Sequence, residues 1–397
     1  MLKNIISNLH SEDWIQLILK NANIYVVGGS VRDALSGTVM KDIDMVVEGM
    51  GLEDVKNLLK QFGKVSIVGE SFSVIKFRPF GHVGEDYDIA VPRRDRKLGA
   101  GHKNFAIETE GVDILGDLKR RDFTINSIAV NVKTGEILDP FHGIDDLKSK
   151  VLRATDSNAF IEDPLRMVRA IQFAARFRFN IEPKTLQLMK NNAKLIKEIT
   201  GERILEEFEK ILHKNGSTRV AFELMEKSYM DKALFNVKFH AAGLTEHFDN
   251  LDEVSFFYTL GILGNVIPSN FYLKRLKGKY EIGKALTTLE KYFTKFSNGM
   301  PEEELKWNIF QMLKTSPLLS NTMILHPNVL KVIKEMKAKK IPMKLGDIPV
   351  NGNDIMELFG VKNEDIGILM TKMYKDALMN KFNWKNKTET LKYLETL

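Results

Sequence analysis

The segment Ile24-Tyr25-Val26-Val27-Gly28-Gly29-Ser30-Val31-Arg32-Asp33, followed by Lys41-Asp42-Ile43-Asp44-Met45-Val46-Val47, sets out the organisation of the first half of the chain. Four apolar residues ahead of a glycine pair read as a buried strand broken by a turn. A short helix carrying Arg32 follows, then a second apolar strand bearing two aspartates. Side chains two apart share a strand face, so Asp42 and Asp44 project toward a common point. Two carboxylates on one face are costly to bury without a cation between them. Mg²⁺ is the expected ion, because it takes oxygen ligands and leaves positions open for substrate phosphates. Gly28 and Gly29 let backbone N–H groups come close to a triphosphate, with Arg32 beside them to neutralise it. The plainer reading is a strand, turn and strand in which Asp42 and Asp44 are solvated ends. The rest of the chain has to decide between the two.

The 397 residues leave room for several domains and a sizeable core, and 44% hydrophobic with 28% charged residues is an ordinary globular composition. There is no cysteine, which excludes disulfides, thiolate zinc and cysteine nucleophiles. Residues 1–20 mix Asn, Ser, His, Glu and Asp into their apolar pattern, unlike a signal peptide, and no apolar run approaches the length of a membrane span. The expected location is the cytosol. A net charge of +6 with a pI near 9.0 permits a polyanionic partner without requiring one.

Working outward, residues 3–20 read as one amphipathic helix. Strands are expected at 24–27, 43–47, 64–68 and 72–78, with a helix near 52–61. Glu85-Asp86-Tyr87-Asp88-Ile89-Ala90-Val91 reads as another strand, whose Asp88 is either a third acid at the metal site or a partly buried edge aspartate. Residues 92–104 are basic, glycine-containing and without periodicity, the pattern of a basic loop. Lys119-Arg120-Arg121-Asp122-Phe123-Thr124-Ile125-Asn126 begins a helix or turn, Asp139 to Gly143 makes another turn, and 151–154 forms a brief strand. From about 160 the chain reads as helices. The first long one opens with Asp163-Pro164, an N-cap and a first-turn proline, and places Asp163, Arg166 and Arg169 roughly on one face. For these three the plainer reading is a cap and two solvated arginines. Further on, Lys274, Arg275, Lys277, Lys279, Lys284, Lys291 and Lys295 interleave with Phe271, Tyr272, Tyr280, Tyr292 and Phe293, and a second lysine-rich stretch runs from Lys331 to Lys344. Both suit an RNA backbone, and equally a solvated helix face.

Taken in order, these stretches resemble the class II tRNA nucleotidyltransferases, the CCA-adding enzymes, and their relatives the bacterial poly(A) polymerases. Gly28 to Asp33 with Asp42-Ile43-Asp44 is similar to the family's first motif, and Arg120 to Asn126 to the second, which holds ribose and triphosphate. Asp139 to Gly143 and on to Arg153 resembles the hinge, Glu162-Asp163-Pro164-Leu165-Arg166 the base-selecting motif, and Glu202-Arg203-Ile204 with Glu207-Phe208 the last motif. Asn351 to Gly360 is similar to a recurring tail segment. Gln172 departs from the pattern, since many members carry Arg there.

The resemblance implies an α+β chain: a nucleotidyltransferase head with a small mixed β-sheet over 1–145, then an all-α neck (146–212), body (213–272) and tail (273–397). It implies addition of CMP, CMP and AMP from CTP and ATP to a tRNA 3′ end. Asp42 and Asp44 would hold the metal, Asp88 would complete the acidic cluster, and Gly28, Gly29, Arg32, Arg121, Asp122 and Asn126 would bind the sugar and phosphates. Asp163 and Arg166 would read the base, with Arg169 supporting the pocket or a phosphate. The base choice has a chemical rationale. Cytosine and adenine each show an amino donor beside a ring-nitrogen acceptor, which matches a carboxylate and a guanidinium, whereas G and U show a carbonyl in place of the amino group. The tRNA acceptor arm is the expected partner, lying along the basic helices. Poly(A) addition, partial CC or A addition, and a silent RNA-binding protein are the alternatives.

Overall fold

The computed structural model describes residues 2–38, 43–68, 74–97, 105–293, 295–296, 300–322, 327–361 and 363–397; Asp42 and residues 98–104 of the 92–104 stretch lie outside them. The chain divides into two units, Met1–Asp249 and Asn250–Leu397.

The first unit begins with two helices, α1 (Leu2–His10) and α2 (Asp13–Ile18), where the sequence reads as one. The break falls where the Ser11 hydroxyl donates back to the Asn8 carbonyl at 2.7 Å and Glu12 restarts the chain in an extended conformation. Among the described residues eleven strands follow in this unit: β1 (Asn23–Val27), β2 (Ile43–Glu48), β3 (Gly63–Val68), β4 (Val74–Pro79), β5 (Tyr87–Ala90), β6 (Arg94–Lys97), β7 (Phe105–Glu108), β8 (Ala129–Asn131), β9 (Ile137–Leu138), β10 (Val151–Leu152) and β11 (Asn180–Ile181). Seven of them form a mixed sheet in the order β3-β4-β5-β2-β1-β8-β9, in which β2 and β5 run parallel and the other neighbours antiparallel. The expectation of a basic loop over 92–104 is corrected over 94–97, which form β6 and pair with β7 as an antiparallel ribbon, Arg94 opposite Glu108; residues 98–104 lie outside the described residues. Pairing rather than periodicity makes that structure, because a two-stranded ribbon can satisfy its backbone groups across the ladder whatever its side chains are.

Strand alternation creates the site. Ile24 and Val26 of β1, Met45 and Val47 of β2, and Tyr87 and Ile89 of β5 point to one face, where they bury against Trp14, Ile15, Ile18, Val55 and Leu59. Those last two come from α4 (Leu52–Leu59), which follows the short α3 (Gly29–Leu35). Trp14 meets Phe77 edge to face at 5.0 Å within this core. Asp44 and Asp88 therefore take the opposite face, which carries only a small cluster of Tyr25, Val27, Val46, Ile114, Leu118 and Ala129. The chain continues through α5 (Ile114–Lys119) and α6 (Gly143–Lys148), the latter capped by Asp139, whose carboxylate accepts from the N–H groups of Gly143 (2.6 Å) and Ile144 (2.9 Å). Helices α7 (Ser157–Glu162), α8 (Leu165–Phe177), α9 (Pro183–Asn192) and α10 (Gly201–His213) complete the part that bounds the site.

The second unit is helical. Its core holds Phe256, Phe257, Tyr272, Phe310, Met336, Ile355 and Met373, all fully buried. Phe271, Tyr272 and Tyr292 belong to this interior, so three of the five aromatics that alternate with lysines are packing residues, while Tyr280 is 72% exposed. A helix over Gly352–Phe359 starts with an Asn351 capping box and ends on Gly360 in the left-handed region, as its sequence signals require. Among the described residues, no helix is long and apolar enough to cross a membrane.

Candidate active-site cleft

A cleft of about 600 Å³ opens on the sheet face left free by the core, between β1, β2, β5 and the polar side of α8. Ten Arg and Lys side chains line it against four Asp, so it is strongly electropositive. Every site residue expected from sequence lines it except Asp42, which lies outside the described residues.

At its base, Gly28 ends β1 with φ +68°, and a Cβ there would sit 2.6 Å from Arg121 Nη1 and 3.8 Å from Asp44 Oδ2. Glycine is needed both for the turn and for the approach of Arg121. The Asp44 N–H donates to Ser30 Oγ at 3.0 Å, tying the second strand to the turn of the first. Asp44 and Asp88 stand directly side by side in the parallel ladder. Asp88 is ion-paired with Lys76 of β4 at 3.1 Å, its own register partner on the other side. Among the described residues no cluster of three or more acids or histidines is gathered for a metal.

The arginines are held by partners of their own. Asp117 of α5 is wholly buried and receives Arg120 at 2.6 Å and Arg121 at 2.9 Å. Burial alone would raise its carboxyl, and the Arg121 and Arg120 guanidiniums outweigh that, holding it below the usual range. A second chain of contacts crosses from the glycine turn to the helices. Arg32 Nη1 donates to Asn126 Oδ1 (2.6 Å), the Asn126 amide donates to Asp122 Oδ1 (2.9 Å), and Arg169 clasps Asp122 Oδ2 through Nε (2.9 Å) and Nη2 (2.7 Å). Arg169 also lies 3.6 Å from Glu207, which Lys210 pairs at 2.8 Å. Burial works against the Asp122 charge, but Arg169, Asn126 and Arg166 more than offset it and hold the carboxyl down to about 2. The expected ligand contacts Asp122, Asn126 and Arg169 thus face the cleft while being bonded to one another.

At the start of α8 the helix proper begins at Leu165, with Pro164 in the cap position, one step later than the sequence reading. Asp163 still accepts from the Leu165 N–H at 3.2 Å, and Arg203 of α10 pairs with it at 3.2 Å. Arg166 is far from a solvated arginine: its guanidinium donates to the carbonyls of Ala159 (2.7 Å) and Arg120 (2.6 Å). That fixes the plane in which it meets the cleft. Sequence reasoning did not single out Asp117, Arg93, Arg176, Lys210 or Lys214. The Arg120-Arg121 doublet three and four residues after Asp117 is the signal that would have found the first.

Two family models match in chain order: the poly A polymerase head domain over residues 24–153, and the probable RNA and SrmB-binding site of polymerase A over 178–237. The multifunctional CCA protein of Aliivibrio salmonicida is 43% identical over 195 residues, covering 48% of this chain and 45% of that protein. Its counterpart in Shewanella frigidimarina is 34% identical over 285 residues, 70% of this chain and 66% of the relative. The chain thus spans about half to two thirds of the length of these curated relatives. Among solved structures, a CCA-adding enzyme in its apo form II superposes with a TM-score of 0.76 at 23% identity, covering 99% of this chain and 95% of that one. The Thermotoga maritima CCA-adding enzyme complexed with tRNA superposes with a TM-score of 0.69 at 23% identity, covering 98% of both chains. The first family model spans the glycine turn and the arginine doublet and the second spans α10, and the chain belongs to the class II tRNA nucleotidyltransferase and poly(A) polymerase family.

Proposed function

We propose that this chain is a CCA-adding tRNA nucleotidyltransferase of the cytosol, which transfers CMP, CMP and AMP from CTP and ATP to a tRNA 3′ end and releases pyrophosphate. The observation that carries this reading is the convergence, in one electropositive cleft, of the glycine turn, two register-paired aspartates, and an acceptor and donor pair at the start of α8.

In this reading Gly28 and Gly29 bring the backbone close to the triphosphate, while Arg32 and Arg121 neutralise it. Both arginines are pre-positioned, Arg32 by Asn126 and Arg121 by Asp117, so no reorganisation is needed when charge develops. Asp163, steadied by Arg203, offers only acceptors to the incoming base, and Arg166 offers only donors. Cytosine and adenine satisfy both. Guanine and uracil turn a carbonyl oxygen toward the Asp163 carboxylate, at a cost of roughly 1–3 kcal/mol per lost hydrogen bond. Asp122, Asn126 and Arg169 act as positioning residues that lock α8 to the glycine turn; in this reading the 146–212 neck selects the base, the 1–145 head supplies the glycine-turn contacts to sugar and phosphate, and the 213–272 body and 273–397 tail contact RNA.

Asp44 and Asp88 are hard oxygen donors side by side at the cleft, a set that fits Mg²⁺, and Asp42, two positions before Asp44 in the sequence, is proposed as a further ligand. Mg²⁺ bound there would supply Lewis-acid stabilisation of the phosphates and lower the pKa of the attacking hydroxyl. The Lys76 ammonium, 3.1 Å from Asp88, holds that carboxylate by an ion pair.

The test is incubation with Mg²⁺ and a tRNA transcript that lacks its last three nucleotides, with products sized on a sequencing gel. With CTP and ATP together, growth by three residues and a stop is expected. A lengthening tail with ATP alone on any RNA would replace the proposal by poly(A) addition, and no product in any lane would remove it.

A further inference from the structure

The two ends of α8 are furnished differently. At its start Asp163, Arg166 and Arg169 all have partners. About 15 Å further along the helix axis lies Arg176, at 1.5 Å per residue. It lines the same cleft together with Lys214, just beyond α10. Neither has a carboxylate within ion-pair distance among the described residues. Arg176 rests on the Phe177 ring at 4.6 Å, and Arg32 approaches the same ring at 4.9 Å. Asp33, the acid whose charge reaches both Arg176 and Lys214, is itself engaged by Arg32 at 2.7 Å. Burial and the neighbouring Arg176, Lys210 and Arg32 charges hold the Lys214 ammonium below its ordinary range, as expected for cations gathered ahead of an anion. Gln172, one turn before Arg176, is 2% exposed, and its side-chain amide nitrogen has no hydrogen-bond partner. A buried donor of that kind calls for an acceptor oxygen.

We infer that Arg176 and Lys214, with Arg32 between them and the glycine turn, form a seat for the two outer phosphates of the nucleotide, and for the pyrophosphate they become. The inference rests on the nucleotidyltransferase reading and assigns the far end of its cleft. Charge decides for a polyphosphate over an RNA backbone phosphate. A phosphodiester carries a single negative charge, too little to balance both Arg176 and Lys214 once Asp33 has offset Arg32, whereas a terminal phosphate gains a second ionisation near neutrality. The Arg176 fork, held over Phe177, offers bidentate geometry, and Lys214 offers a point charge that follows the leaving group. The seat makes pyrophosphate a tightly held product.

Isothermal titration of inorganic pyrophosphate into the full-length protein without RNA tests this directly, alongside an RNA-binding titration with the shortened tRNA. Arg176→Gln and the exposed Lys214→Met are each expected to weaken pyrophosphate binding by about tenfold and RNA binding by less than about twofold, with Lys214→Arg restoring most of the affinity. In steady state the same variants should raise KM for CTP with kcat preserved or increased. Three results overturn the inference: a wild-type protein that does not bind pyrophosphate, variants that bind it unchanged, and variants whose RNA affinity falls as much or more. Because pyrophosphate binding needs no transfer, a wild-type protein that binds it through this seat but adds no nucleotide leaves the seat standing and removes only the functional reading.

Discussion

Positive charge is used in two ways in this molecule. Around the cleft of the first unit it is mostly arginine, partly buried and fastened: Arg120 and Arg121 to Asp117, Arg169 to Asp122, Arg203 to Asp163, and Arg166 to two backbone carbonyls. In the second unit it is mostly lysine: Lys274, Lys284, Lys331 and Lys334 are exposed on helices whose apolar faces build the core, and Lys277, Lys339 and Lys340 are exposed just beyond helix ends. The difference is one of precision. A guanidinium clamped by a carboxylate keeps its fork within a few tenths of an ångström and can discriminate between hydrogen-bond patterns. An ammonium on a mobile four-carbon stem supplies attraction to a polyanion with little geometric information.

The comparison breaks most decisively at Asp44. Asp44→Ala is expected to lower nucleotide transfer by at least about a thousandfold while leaving tRNA affinity within about twofold, as read by single-turnover kinetics and a binding titration. Equal losses in both would put Asp44 among the binding groups. Next in size is base choice. Arg166→Ala and Asp163→Ala should reduce the preference for CTP over UTP by about ten- to a hundredfold, measured as a ratio of kcat/KM values. If either variant merely melts earlier and keeps its selectivity, the pair is a helix-start brace and nothing more.

The clamps themselves should show in the acid limb of stability. With its carboxyl held down to about 2, Asp122 contributes stability that is fully present above the ordinary aspartate range near pH 4 and is lost as pH falls toward about 2. Thermal melts of wild type and Asp122→Asn should differ by about 2 kcal/mol at neutral pH and converge across that window. A gap that persists at pH 2 would trace the effect to packing. The smallest change belongs to the lysine surface. Replacing Lys274, Lys277 and Lys284 together by Ala should weaken tRNA binding a few-fold, flatten its salt dependence by about two units of log–log slope, and leave base selectivity untouched. Altered selectivity would mean that these lysines do more than attract.

The legible parts of the site were those encoded locally. A glycine pair after an apolar run announces a turn at Gly28, and alternation places Asp44 and Asp88 on strand faces away from Ile43, Met45 and Ile89. Spacing of three put Asp163, Arg166 and Arg169 near one another. The aromatic residues of the second unit were misleading for the same reason: Tyr272 and Tyr292 alternate with lysines in sequence, and helical periodicity turns them inward. The antiparallel ribbon of β6 and β7 carries no periodic signal at all and exists through its cross-strand pairing.

By itself the sequence determined the order of elements, the α+β head with its helical continuation, the family motifs and the identity of the groups that line the cleft. Tertiary structure alone decided which of those groups are fastened and which stand open. Arg169 reaches Asp122 across 47 positions, Arg203 reaches Asp163 across 40, and Arg32 reaches Asn126 across 94. No local propensity encodes such pairings. They arise because burial makes an unpaired charge costly, so the fold that closes the core also chooses the partners of these arginines, and leaves Arg176 and Lys214 with no carboxylate partner among the described residues.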